Sequence, residues 1–136
     1  MTALSWGPSG FWKRPGRSWT EGGDAMLTVN LERGMPTTAG ALSQMNQALR
    51  TARATGGRVI KFIHGYGSSG QGGAIRTAVL RELAECQRQG RIKLYIAGDR
   101  FSPFYEEARR AIDLCPELAK DRDYTRTNQG ITIVLL

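Results

Sequence analysis

The sequence predicts an α/β fold: a two-layer sandwich with the element order β-α-β-α-β-(α)-β and a mixed four-stranded sheet. Three observations predict it. Short apolar runs with strand character begin at Leu27, Val59, Ile92 and Ile131. Amphipathic segments with apolar residues three or four apart separate the first three of these runs. With 136 residues, the chain has room for one hydrophobic core.

The first strand and helix follow directly from the residue pattern. Apolar residues alternate with polar ones over 27–31, which predicts a short strand. After a Gly-Met-Pro turn, Thr37 or Thr38 can cap a helix whose apolar residues have helical spacing. The pair Gly56-Gly57 ends that helix.

The middle of the chain predicts strand, helix and strand again. Val59–Ile63 is expected to be a central strand with one partly exposed face, because Lys61 interrupts its apolar run. A second amphipathic helix is expected from about Ala74 until Gly90 ends it. Ile92–Ala97 is the third predicted strand.

The last third combines a long connection with a closing strand. The pair Ser102-Pro103 opens a short helix predicted over 106–114, and Pro116 interrupts it. Residues 131–136 predict a strand that pairs at or near an edge of the sheet. The first three strands can join through right-handed crossovers.

Residues 1–25 differ in composition from the domain predicted over 26–136. They hold all three tryptophans and five glycines but show no helical or strand period. We expect a disordered extension, or a segment assigned to the protein in error, with translation beginning at Met26. The codons for Glu21-Gly22-Gly23 can form a purine-rich ribosome-binding site.

Composition excludes several classes of protein. No stretch approaches the roughly 20 apolar residues that cross a bilayer, and no signal peptide is evident, so we expect a cytoplasmic protein without a membrane partner. The chain has two cysteines and one histidine, without close Cys-x-x-Cys spacing, so a zinc site is not expected. No metal cluster or cofactor motif is evident.

Charge is distributed unevenly along the chain. Residues 33–98 contain ten basic and two acidic side chains, whereas residues 101–136 contain five basic and six acidic ones. The basic field therefore belongs to the first two-thirds of the domain. A polyanionic partner is one interpretation and a solvated basic surface is the other.

The segment 64–73 is the strongest candidate for a site. It contains five glycines and two serines, and it lies between a strand and a helix. This arrangement points backbone N–H groups and a helix N-terminus at an anion such as phosphate. Tyr66 can stack on a base or sugar and Arg76 can hold a phosphate. The amides expected to contact phosphate are those of Gly65, Gly67 and Gly70.

Two other interpretations of the loop stay open at this point. The run 65–70 matches the pattern G-x-G-x-x-G of dinucleotide-binding loops, but three residues and another glycine follow before the helix. A Walker loop is excluded because no Gly-Lys-Ser/Thr follows. The glycines can also serve only as a flexible connector with His64 at the end of the strand.

The stretch VIKFIHGYGSSGQGGAIRTAV over 59–79 resembles the central motif of the Smr (small MutS-related) domain family. In that family a strand ends in His-Gly-x-Gly, and the next helix opens with an apolar residue and an arginine, here Ile75-Arg76. The resemblance extends over about 27–136, including the closing strand. It implies an α/β sandwich that binds nucleic acid and, in some members, nicks DNA or cleaves RNA.

The chain departs from the family at the first strand. Many Smr domains carry Leu-Asp-x-His there, but Val29–Gly34 contains neither an aspartate nor a histidine, although other branches have an Arg-Gly like that at 33–34. His64 is the only imidazole, so any cleavage has to pair it with Glu32, Arg33 or Lys61. His64, Arg33 and Lys61 are therefore the candidate catalytic residues.

The leading hypothesis is a nucleic-acid-binding Smr-like domain that acts as an endonuclease through the His-Gly-Tyr-Gly loop. The alternative is a non-catalytic RNA- or DNA-binding or ribosome-associated module, and a third hypothesis is a binder of small nucleotides. The sequence leaves open the choice between DNA and RNA, a dependence on Mg²⁺ or Mn²⁺, and the oligomeric state.

Overall fold

The computed structural model describes residues 26–32, 37–65 and 72–136. Its four strands are β1 (Met26–Asn30), β2 (Val59–Ile63), β3 (Leu94–Ala97) and β4 (Ile131–Leu135). Its three α-helices are α1 (Thr38–Ala54), α2 (Gly72–Arg88) and α3 (Glu106–Leu114). Two 3-10 helices, Gly98–Arg100 and Pro116–Lys120, flank α3. The predicted extension over 1–25 lies outside the described residues.

The element boundaries follow local chemistry. The Thr37 side chain accepts a hydrogen bond of 3.0 Å from the Gly40 amide, which satisfies one free N–H of the first turn of α1. Such a cap stabilises a helix by about 1 kcal/mol. The span predicted for α3 is confirmed. α2 begins two residues before the predicted Ala74, and β3 begins two residues after the predicted Ile92.

The sheet has the strand order β1-β2-β4-β3. β1 is parallel to β2, whereas β4 is antiparallel to both of its neighbours. The last strand was predicted at or near an edge of the sheet: β4 is internal, so it is not at the edge, but it is near it because it pairs with the edge strand β3. Every residue of Ile131–Leu135 is buried, as an internal strand covered on both faces requires.

Helices cover both faces of the sheet. α1 and α2 pack on the face that presents Val29, Phe62 and Val134. α3 and the 3-10 helix Pro116–Lys120 pack on the other face, against Ile96 and Ile133. The α/β class, the element order and the mixed four-stranded sheet are confirmed. α3 adds a layer to the predicted pair, so the Lys61 side of β2 is buried rather than partly exposed.

The parallel and antiparallel pairings also fix where the loops meet. Because β1, β2 and β3 run in one direction, their C-terminal ends and the start of β4 lie at the same edge of the sheet. The N-terminus of α2 follows the β2 end along the chain. None of the helices in the described ranges combines the length and the apolarity needed to cross a membrane.

Candidate functional site

His64 lies immediately after β2 and is completely buried. Its backbone N–H donates to the carbonyl of Gly130, at 2.9 Å, and so continues the pairing of β2 with β4 beyond the last ladder residue. The imidazole lies on the α1–α2 face, where its Nε2 is 2.8 Å from the hydroxyl oxygen of Thr132. Its Nδ1 is 2.8 Å from the carbonyl oxygen of Gly65.

These two contacts define the protonation of the ring. A carbonyl oxygen only accepts, so Nδ1 carries the hydrogen and donates to Gly65. In the neutral ring, Nε2 then accepts from the Thr132 hydroxyl. Burial lowers the pKa of His64, and although the bond to Gly65 opposes this effect, the nearby Arg76 guanidinium adds to it. His64 is thus a neutral imidazole with a partner on each nitrogen.

Gly65 lies against Glu32, which follows the end of β1. Its φ of +75° lies in the left-handed region, where a side chain is strained. A Cβ at this position would also collide with the carboxylate of Glu32. The Gly65 amide joins that of His64 on the Gly130 carbonyl, at 3.1 Å. The glycine therefore permits a close approach between the β2 loop and the exposed Glu32.

Arg76, in the second turn of α2, ties the helix to the same edge of the sheet. Its Nη2 donates to an Asp99 carboxylate oxygen at 3.2 Å, and its Nε donates to the Gln129 carbonyl at 3.2 Å. The side chains of Arg76 and Asp99 are 26% and 31% exposed, so neither is sealed from solvent. Arg76 can therefore contact a ligand while Asp99 and Gln129 orient its guanidinium.

Lys61 lies elsewhere, because alternation along β2 points it to the face opposite His64. Its ammonium donates to both carboxylate oxygens of Asp121, at 2.9 and 3.2 Å, and pairs with Asp123. All three side chains are largely buried, at 8%, 6% and 13% exposure. Lys61 thus holds the chain after Pro116–Lys120 against the sheet, and the structure does not bring it together with His64.

The ion pair continues into the loop that receives His64. Asn128 donates to Asp123 at 2.9 Å, and the side-chain oxygen of Asn128 accepts from the Gly130 amide at 2.9 Å. Burial alone would raise the pKa of Asp123, but the bonds from Asn128 and Lys61 outweigh it and hold the pKa below its ordinary value. The Gly130 carbonyl is therefore positioned from both faces of the sheet.

The sequence-predicted residues divide into three groups. His64, Gly65 and Arg76 meet at the edge where β1 and β2 end, together with Glu32. Lys61 lies on the other face. The remaining candidates, which lie outside the described residues, are Arg33, Tyr66, Gly67 and Gly70.

Sequence reasoning missed the groups that hold His64. Thr132 and Gly130 contact it directly, and Asn128 acts through Gly130. Their signal is visible only once β4 is paired with β2, because Thr132 then lies opposite Phe62, two residues before the histidine on the same face. The prediction of a last strand at or near an edge leaves that pairing open.

The charge asymmetry of the sequence corresponds to the layers of the fold. The α1–α2 layer, taken as residues 37–57 and 72–93, carries seven basic and two acidic side chains. Arg58 is left out because its guanidinium donates to the Leu114 carbonyl of α3. The opposite layer, taken as residues 98–130, carries six basic and seven acidic ones. A polyanion would therefore be attracted to the α1–α2 side of the sheet.

The described residues offer little for thiol or metal chemistry. Cys86 and Cys115 are both buried, and burial raises the pKa of each thiol. Among the described residues, no three His, Cys, Asp or Glu side chains are grouped as metal ligands would be.

Comparison with known proteins gives a similarity to one family. No protein-family model matches the sequence, and no curated protein matches it either. Among solved structures, the chain is similar to the crystal structure of the Smr domain of Thermus thermophilus MutS2, with 27% sequence identity. The match covers 80% of this chain and 95% of that one, with a TM-score of 0.49.

Proposed function

We propose that this chain is a nucleic-acid-binding domain of the Smr-like type and that it binds through its α1–α2 side. The observation that carries the proposal is the segregation of charge between the two helical layers. The α1–α2 side carries seven basic and two acidic side chains, while the other side is close to neutral. Nucleic-acid backbones are the polyanions that such one-sided basic surfaces attract.

The glycine loop supplies a second part of the proposed interface. Arg76 lies at the edge where β1 and β2 end and is oriented by Asp99 and Gln129, so it can hold a phosphate. The Gly65 amide, which the sequence also offered as a phosphate donor, is bonded to the Gly130 carbonyl instead. In the proposal, the amides of Gly67 and Gly70 contact phosphate, and Tyr66 stacks on a base or sugar. In the proposal, His64 holds the start of this loop in place and does not contact the ligand, since both of its ring nitrogens have partners within the protein.

The test is binding of the full chain to labelled duplex DNA and single-stranded RNA at two salt concentrations. The proposal predicts affinity that falls steeply with salt, because each phosphate contact on duplex DNA contributes a slope of about −0.9 in log K against log salt. Binding that is absent, or that does not respond to salt, would contradict it.

A matched pair of variants locates the surface. Arg81 of α2 and Arg109 of α3 are both exposed helical arginines on opposite sides of the sheet. Arg81→Glu and Arg109→Glu change the net charge equally, so a general loss of attraction would affect them alike. The proposal predicts that Arg81→Glu weakens binding more, and equal effects would remove the assignment to the α1–α2 side.

Phosphodiester cleavage is a second candidate function, favoured by the position of Glu32. Its exposed carboxylate lies against Gly65, beside the loop and at the same edge as Arg76. A carboxylate next to a phosphate-binding loop can act as a general base or recruit a divalent cation. In this proposal Glu32 is a catalytic residue and His64 is a positioning residue.

Cleavage is tested on end-labelled RNA and duplex DNA, with Mg²⁺, with Mn²⁺ and with a chelator. If the chain is an endonuclease, Glu32→Gln abolishes cutting while substrate affinity is retained, because the amide keeps the shape of the side chain. Binding without cutting under every metal condition would leave a non-catalytic binding module.

A further inference from the structure

A second group of arginines lies at the end of the α1–α2 layer away from the glycine loop. Arg50 and Arg53 belong to the last turns of α1, and Arg91 follows α2. Together with the buried Leu49 they line a pocket of about 240 Å³. Liquid water occupies about 30 Å³ per molecule, so the pocket can hold a hydrated phosphate group.

The contacts within the pocket orient its guanidinium groups without neutralising them. Arg53 donates to the Arg91 carbonyl at 2.8 Å. Arg91 donates to the side-chain oxygens of Asn46, at 3.2 Å, and of Gln89, at 3.4 Å. All three acceptors are uncharged. The nearby Glu82 carboxylate accepts a hydrogen bond of 3.4 Å from the side-chain amide of Asn46, so Asn46 lies between it and Arg91.

A larger hollow of the same domain shows the contrast. It has a volume of about 440 Å³ and lies beside β3, between α2 and α3. Two of its three arginines pair with carboxylates, Arg76 with Asp99 and Arg100 with Glu107, while the third is Arg110. Among the described residues, by comparison, none of the three arginines of the smaller pocket forms an ion pair with a carboxylate.

Interaction with the helix dipoles explains only part of the positive charge around the smaller pocket. One cation near a helix C-terminus interacts favourably with the helix dipole, and Arg53 and Arg88 take that place on α1 and α2. Arg50 and Arg91 remain as further positive charges around one pocket. Three like charges that converge on a concave site repel one another unless an anion occupies it.

We infer that Arg50, Arg53 and Arg91 form a second phosphate-binding site, which holds the backbone of the same nucleic acid as the glycine loop. The inference rests on the proposed function. Its geometry sets the length of nucleic acid needed. α1 has 17 residues, or about 25 Å at 1.5 Å per residue, so the two sites lie roughly 20 Å apart. At about 3.4 Å per nucleotide, a strand needs roughly six steps to contact both.

The test compares Arg50→Glu with Arg109→Glu of α3 on single-stranded oligonucleotides of about 3 and about 15 nucleotides, which lie below and above the required span. Arg50 and Arg109 are both exposed, and the full chain carrying either substitution should retain the wild-type melting temperature. For Arg50→Glu we expect about a tenfold loss of affinity for the long strand and little change for the short one. The salt slope on the long strand should fall by about 0.7 or more.

The outcomes separate this inference from the proposed function. If wild-type protein binds and Arg50→Glu behaves as Arg109→Glu on both strands, the second site is wrong and the proposed function stands. A loss that is equal on the short and the long strand also contradicts a second site. If wild-type protein binds neither single strands nor duplex DNA at low salt, the proposed function and the inference both fail.

Discussion

Two polar centres lie on opposite faces of β2, only three residues apart in the chain. His64 is neutral, buried on the α1–α2 face, and bonded to Thr132 and Gly65. Lys61 is charged, buried on the α3 face, and paired with Asp121 and Asp123. Residues that are close in sequence thus belong to different environments, because a strand sends successive side chains to opposite faces.

The two centres hold different parts of the chain. The Lys61 centre joins the sheet to the chain after α3 by full charges. The His64 centre uses neutral hydrogen bonds at the edge where the loop leaves the sheet. Gly130 links them, because its carbonyl accepts from His64 and its amide donates to Asn128, which in turn bonds to Asp123.

The largest effect is expected at Lys61. Lys61→Met would leave two largely buried carboxylates without their cation, which costs about 3–5 kcal/mol in the free energy of unfolding. Urea denaturation followed by circular dichroism measures the loss. The triple variant Lys61→Met, Asp121→Asn, Asp123→Asn removes the charges together and should recover most of it. A single variant as stable as wild type would show that the ion pair is not structural.

A smaller effect is expected from the close approach at Gly65. Gly90→Ala provides the matched control, since Gly90 has a φ of +77° with open space around it, and should cost about 1–2 kcal/mol. Gly65→Ala should cost more, because Glu32 has to move aside as well. Repeating both alanine substitutions with Glu32→Ala should shrink the difference, and a difference that persists would contradict the contact.

The smallest effect concerns pH. The pKa of His64 is lowered from its ordinary value of about 6.5, so the unfolded chain takes up a proton before the folded one does. The contribution of His64 to stability is complete above pH 6.5 and is lost as the pH falls through the folded pKa. Since His64 is the only histidine, the free energy of unfolding should decrease between pH 7.5 and 5.5. His64→Gln should remove that slope, and an unchanged slope would refute the assignment.

Much of the fold could be predicted from residue periodicity. The four strands, the two long helices and the span 106–114 of α3 follow from apolar spacing, glycine and proline. The internal position of β4 could not be predicted, because its sequence, apolar except for Thr132, indicates that the strand is buried but not which strands it pairs with. The layer formed by α3 on the second face of the sheet could not be predicted for a related reason. Only Ala108 and Ala111 of α3 are buried, and such small residues give a weak signal.

The candidate site could be predicted in part. The sequence identifies His64, Gly65 and Arg76 because they belong to one continuous motif, and the structure places them at one edge of the sheet. The sequence could not separate Lys61 from this site, since Lys61 has the positive charge expected of a phosphate ligand and lies in the same motif. Only the alternation of β2, together with the carboxylates of Asp121 and Asp123 some 60 residues later, assigns Lys61 to the other face.

The central claim is that nucleic acid binds the α1–α2 side of the sheet. The most direct measurement is a titration of isotope-labelled protein with duplex DNA and with single-stranded RNA, followed through the backbone amide resonances. The account predicts shifts along α1, along α2 and in residues 64–73, with α3 unaffected. Shifts confined to α3 and β3, or none at low salt, would contradict it.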